Sequence, residues 1–203
     1  MPIAWRRCST RWPRRATSRG QADVAEGVIY RHTVEAFVER VLTRRALLTP
    51  EFRAELRALG LDAAAPKEVN LETWALLVRA VAARLCPGKP EAEALETVGR
   101  EMLAGYSESL VGRSLFVLLR LLGPQRAMMR MAENYHSADS ITRVEARALT
   151  AGSVELAFNT TGGLSHYVRG LLLEMLARLK ARTPTVTFAH IGEREVFVVS
   201  WSP

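Results

Sequence analysis

The stretch Ser165–Lys180 constrains the fold more than any other part of this chain. Its apolar residues, from Leu164 through Tyr167, Val168, Leu171, Leu172, Met175 and Leu176 to Leu179, alternate in steps of three and one. That spacing draws one continuous apolar stripe along a helix of period 3.6. On each side lies a pair of alternating segments. In Thr142–Leu149, Val144, Ala146 and Ala148 alternate with Arg143, Glu145 and Arg147; in Val154–Phe158, Val154, Leu156 and Phe158 alternate with Glu155 and Ala157. Ala151-Gly152 is the turn between them. Thr185–His190 and Val196–Trp201 repeat the pattern around Gly192-Glu193. The last third thus reads β-β-α-β-β, a four-stranded antiparallel sheet with one wet face and one face for the helix.

The preceding residues read as helices. Ile29, Val34, Phe37, Val38, Val41 and Leu42 fall at helical spacing. Thr49-Pro50-Glu51 is a helix start, with a capping hydroxyl, proline at the first helical position and an acid against the dipole. Phe52, Leu56 and Leu59 line that helix and Gly60 ends it; Asn70 caps the next, with Leu71, Trp74, Leu77, Val78, Val81 and Leu85 on one face. After Pro87-Gly88-Lys89-Pro90, Glu91, Glu93 and Glu96 open a helix expected to run to Leu122, with Gly99, Gly105 and Gly112 marking close packing or a kink. Leu115–Leu122 (LFVLLRLL) is apolar nearly all round, which predicts a buried segment. Gly123-Pro124 ends it, and Gln125–Glu133 forms a Met-rich helix. The fold class expected is α+β, with a helical part over 26–133 and the β-β-α-β-β part over 140–203 in one domain.

Charge separates the N-terminus from this domain. Six arginines and no acid lie in residues 1–20, whereas the remainder carries 22 basic and 21 acidic residues. The net charge of +7 therefore belongs to a tail, and residues 1–25 are expected to be a disordered Arg-rich extension. A nearly neutral domain gives no reason to expect specific nucleic-acid binding. Cys8 and Cys86 form no disulfide framework, and no apolar run reaches the roughly 18 residues of a membrane span. A cytoplasmic location is expected.

Motifs for chemistry are absent. No G-x-x-x-x-G-K or G-x-G-x-x-G phosphate loop occurs. His32, His136, His166 and His190 form no metal-ligand spacing. Ser165-His166 are neighbours in sequence, a poor arrangement for a nucleophile and its base. His190 shares the inward parity of Val186 and Phe188 near a strand end. Arg113, Arg120, Arg126 and Arg130 read as a solvated flank, and Met128, Met129 and Met131 as core filler or an adaptable pocket wall.

The motifs E-A-F-V-E-R at 35–40, L-x-x-L-G-L-D at 56–62, the tryptophan helix at 71–78 and G-Y-S-E-S-L-V-G-R at 105–113 occur in that order. L-L-G-P-Q-R-A at 121–127, Y-V-R-G-L-L at 167–172 and a closing V-x-W complete the set. Together they resemble an uncharacterised paralogous domain family abundant in myxobacteria, over about residues 28–201. The layout is distantly similar to haem-dependent nitric-oxide/oxygen-binding sensor domains and to vinyl-reductase-like ligand-binding domains. In the haem sensors a histidine on the helix before the first hairpin ligates iron, and a Tyr-x-Ser-x-Arg motif grips the propionates. Here that helix reads Gln125-Arg126-Ala127-Met128-Met129-Arg130, without histidine, and the strand reads Leu156-Ala157-Phe158-Asn159-Thr160-Thr161. The resemblance implies the scaffold without that haem site.

From this follows the expectation of a non-enzymatic regulatory or sensory domain that binds a small, mostly apolar ligand between helices and sheet. The residues expected to line that site are Phe116, Leu119, Met128, Met131, Tyr135, Tyr167 and Leu171, with no catalytic residue and no resident cofactor. One alternative is a protein-interaction or dimerisation module without a ligand. Another is a divergent haem-binding gas sensor, in which His136 would be the iron ligand.

Overall fold

The computed structural model describes residues 27–202, so the expected arginine tail lies outside the described residues. A short strand β1 (Val28–Ile29) leads into helix α1 (Arg31–Phe37), which continues as π-helical turns to Thr43. Val34, Phe37, Val38, Val41 and Leu42 point into the core, as their spacing predicts. Helix α2 (Pro50–Ala58) starts where the Phe52 amide donates to the Thr49 hydroxyl at 3.2 Å. Gly60, at φ 82°, supplies the left-handed turn after it. Strand β2 (Val69–Asn70) pairs with β1. Helix α3 (Leu71–Leu85) begins with the Thr73 amide donating to Asn70 Oδ1 at 2.7 Å.

Helix α4 (Glu91–Glu108) stops well short of the expected Leu122. Ser109 interrupts it in extended conformation, and its hydroxyl accepts from the Gly112 amide at 3.0 Å to start α5 (Leu110–Asn134). A Cβ at Gly112 would run into the Tyr106 carbonyl, so this glycine lets the new helix fold back on the end of the old one. Gly123, at φ 79° and ψ 165°, then divides α5 into two arms at the Gly-Pro pair.

The first arm corrects a second expectation. Phe116 and Leu119 are buried, but Leu110 is 84% exposed, Val117 56%, Leu118 60% and Leu121 81%. Only the side of this arm that carries Phe116 and Leu119 reaches the core. LFVLLRLL is an apolar ridge held inward by Phe116 and Leu119, not a buried segment.

Strands β3 (Val144–Thr150), β4 (Ser153–Phe158), β5 (Arg182–Ile191) and β6 (Arg194–Ser202) form an antiparallel sheet in the order β3-β4-β6-β5. Val154, Leu156, Phe158, Phe197, Val199 and Trp201 fill its inner face. On the wet face Arg147 sits opposite Glu155 in register and pairs with it at 2.9 Å, while Arg194 pairs with Glu145 at 2.7 Å. His190 has the inward parity predicted for it, but it lies at the end of β5 with its side chain 69% exposed.

Helix α6 (Ser165–Arg178) packs on the inner face of the sheet and, on its other side, against α4. Two glycines set the second contact. A Cβ at Gly99 would collide with the Tyr167 carbonyl, and one at Gly170 with the Glu96 carbonyl. The two backbones touch where the side chains are missing, and Arg169 bridges the seam to Glu96. The N-terminus of α6 is tied to β6 through Glu195, which accepts from Thr161 Oγ1 at 2.6 Å and from Ser165 Oγ. Ser165 is therefore a buried structural donor rather than a nucleophile beside His166, which instead packs edge-on against Phe188 at 5.0 Å.

Candidate functional site

Between α6, both arms of α5, the C-terminal half of α4 and the end of β4 lies a cavity of about 560 Å³. Each wall follows from local sequence. Met102, Leu103 and Tyr106 recur at helical spacing on α4. Leu115 and Leu119 come from the first arm of α5, and Ala127, Met131 and Asn134 from the second. Tyr167, Val168, Leu171, Leu172 and Met175 are one face of the α6 stripe, so that stripe serves the core and the cavity together. Trp74 and Phe158 complete the lining from α3 and β4, and Arg130 stands at the rim.

The polar part of the wall is the connection after α5, where a 3₁₀ turn (Tyr135–Ser137) leads to Ala138 and Asp139. It is held against α1: Thr33 Oγ1 donates to the Ala138 carbonyl at 2.9 Å, and His32 Nε2 lies 2.8 Å from the Ser137 carbonyl. Asp139 is buried and accepts from the amides of Ile141 at 2.9 Å and Thr142 at 2.5 Å. The Asn134 amide group donates to the Arg130 carbonyl at 2.7 Å.

Tyr135 and Tyr167 both face the cavity, Tyr135 with its ring edge-on to Phe158 at 5.2 Å. Burial pushes both phenols above the usual tyrosine range; the nearby Asp139 carboxylate raises Tyr135 further, and Tyr135 does the same to Tyr167. Tyr135, Tyr167 and Asp139 all line this one cavity. Behind the opposite wall the Arg40 guanidinium stands over the Tyr106 ring at 4.7 Å, and Arg40 Nε is a buried donor without a hydrogen-bond partner among the described residues.

Of the seven residues proposed from sequence, Leu119, Met131, Tyr135, Tyr167 and Leu171 line this cavity. Phe116 and Met128 are not part of the lining; they are buried in the core behind it, with Met128 fully enclosed. Trp74, Met102, Tyr106 and Asp139 are lining residues that sequence reasoning does not single out. Tyr106 and Met102 share a helix face four residues apart, a signal obscured when α4 is read as continuous with α5. His136 is exposed on the 3₁₀ turn between two lining residues and does not line the cavity itself. Among the described residues no cluster of three or more His, Cys, Asp or Glu is arranged to hold a metal ion, and no helix is long and apolar enough to cross a membrane.

The fold has solved counterparts. An oxygen-binding H-NOX domain related to soluble guanylate cyclases, solved as its oxygen complex, superposes with a TM-score of 0.63 at 14% identity, covering 86% of this chain and 96% of that one. The Fe(II) unliganded H-NOX protein from K. algicida superposes at 0.62 with 12% identity, covering 86% and 97%. A mutant of T. tengcongensis H-NOX gives 0.63 at 15%, covering 86% and 98%. At such identities the likeness is one of fold. No curated protein matches the sequence. Residues 27–202 match the family described as "Protein of unknown function (DUF2378)", and the chain belongs to that family.

Proposed function

We propose that this domain is a sensory module that holds a small, mostly apolar molecule in the cavity between α4, α5, α6 and the sheet. One observation carries the reading. The cavity is apolar and about 560 Å³ in volume, within the roughly 300–1,000 Å³ range of small-molecule sites, and its wall is assembled from side chains of several separate elements. The fold likeness adds support, since one neighbour is an oxygen-binding domain related to soluble guanylate cyclases. A ligand here touches α6 and both arms of α5 at once, so its occupancy biases how those helices sit against each other.

The second reading, a haem-binding gas sensor, rests on neighbours studied for haem distortion. The donor set fits it poorly. The lining contains no histidine among the described residues. Arg130 is the sole cationic lining residue among the described residues.

Native mass spectrometry of protein purified without denaturant tests the first reading. A mass a few hundred daltons above the polypeptide, lost on denaturation, is the expected result. A bare chain that also shows no thermal shift with neutral apolar compounds would overturn it; a bare mass at twice the chain would favour the interaction module. Haemin titration tests the second reading, and a sharp Soret band that disappears in His136→Ala would reinstate it.

A further inference from the structure

Tyr135 and Tyr167 hold hydroxyls that make no hydrogen bond among the described residues, although Tyr167 is only 6% exposed. A hydroxyl that faces the cavity without a protein partner is left for whatever fills the cavity to complete. Several of the surrounding polar groups are already engaged. Thr33 donates to Ala138, Asn134 donates to Arg130, and Asp139 accepts two backbone amides. Left for a ligand at this end are the two phenol O–H donors, beside the Ser137 hydroxyl on the same turn.

We infer that Tyr135 and Tyr167 form an uncharged hydrogen-bonding pole that selects, among small apolar molecules, those carrying a neutral acceptor such as a ketone or quinone carbonyl. The inference rests on the ligand-binding reading above and narrows its chemical class. Charge decides between acceptors. A carboxylate placed here meets the buried Asp139 carboxylate, and the one lining cation, Arg130, is at the exposed rim 3.4 Å from Glu133. A neutral carbonyl takes the same two hydrogen bonds without that repulsion. A hydrocarbon fills the volume and leaves both hydroxyls unpaired.

Three compounds of similar shape separate these cases: benzophenone, diphenylmethane and diphenylacetate, each titrated into the whole chain by calorimetry. Benzophenone is expected to bind about tenfold more tightly than diphenylmethane, the equivalent of one or two buried hydrogen bonds, and diphenylacetate the most weakly. In Tyr135→Phe and Tyr167→Phe the benzophenone preference shrinks towards one, while diphenylmethane affinity stays within about twofold, which also reports that the variants are folded. Equal binding of ketone and hydrocarbon by the unmodified protein, an unchanged ratio in both variants, or tightest binding of diphenylacetate would overturn the pole and leave the ligand cavity standing. Failure of all three to bind would remove the cavity reading itself, and the pole with it.

Discussion

Two helical segments of this chain are comparably apolar and end in opposite environments. Helix α6 is enclosed, with Leu172, Leu173, Met175 and Leu176 buried between the sheet and α4. The first arm of α5, Leu110–Leu122, is richer in leucine, yet Leu110, Val117, Leu118 and Leu121 stand in the open. Hydrophobicity is therefore not what separates them. Gly170 is, because it and its counterpart Gly99 allow backbone contact on the side away from the sheet. The arm of α5 has Phe116 and Leu119 facing inward, while its outer stripe meets no comparable surface among the described residues. Burial of a helix is decided by complementary surfaces, and composition states only that burial would be favourable.

The sharpest way to break this contrast is at the glycine seam. Gly170→Val is expected to cost about 3–5 kcal/mol, the upper end for over-packing, because the atom it meets is a backbone carbonyl that cannot swing aside. Urea unfolding reads this directly, and a loss under about 1 kcal/mol would mean that α4 and α6 separate freely. Leu176→Ala, at a fully buried position of α6, is expected to cost about 3 kcal/mol through lost contacts and a residual cavity. A fall of that size in the same experiment places the α6 stripe in the core; no change would place it elsewhere.

A smaller, pH-dependent effect belongs to the cavity side of α6. Tyr135 and Tyr167 have folded-state pKa values raised above the ordinary tyrosine value, chiefly by burial. The unfolded chain, titrating near pH 10, releases protons that the folded form still holds. Their contribution is thus complete below about pH 10 and is lost as pH rises, by up to about 1.4 kcal/mol per pH unit for each tyrosine. Stability measured between about pH 9 and 11.5 should fall less steeply in Tyr135→Phe and Tyr167→Phe than in the unmodified protein. Parallel slopes would show that the phenols ionise freely in the fold.

The smallest effect is expected on the ridge. Leu121→Gln should change stability by no more than about 0.5 kcal/mol, as for other exposed positions. A loss near 2 kcal/mol in the thermal transition would show that the ridge is covered in solution.

The C-terminal half is the more legible in sequence. Period-two alternation in Val144–Phe158 and Val196–Trp201, two-residue turns and the α6 stripe each report a local rule, and the sheet follows them. Caps are equally readable at Thr49 and Asn70, whose side-chain oxygens accept the expected amides. The break at Ser109 escapes sequence reading because its cause is tertiary: Gly112 closing on Tyr106 is a contact between two helices, and glycine alone signals only that something is close. The exposure of LFVLLRLL escapes it because a face's environment depends on which surfaces from elsewhere in the chain reach it. At the cavity, Tyr135 and Tyr167 stand out as aromatic residues beside apolar helices. Asp139 does not, since a short acidic side chain in a polar connection reads as solvation until Thr33 and His32 are seen holding that connection against α1.

The most direct measurement is the calorimetric titration of benzophenone into the unmodified protein and into Met131→Trp, a substitution that fills the cavity from the second arm of α5 while leaving the glycine seam intact. Saturable one-site binding with a negative heat-capacity change in the former, abolished in the latter while its unfolding stays cooperative, is the expected result. Binding that survives Met131→Trp unchanged, or no binding to either protein, would contradict a ligand held between α4, α5 and α6.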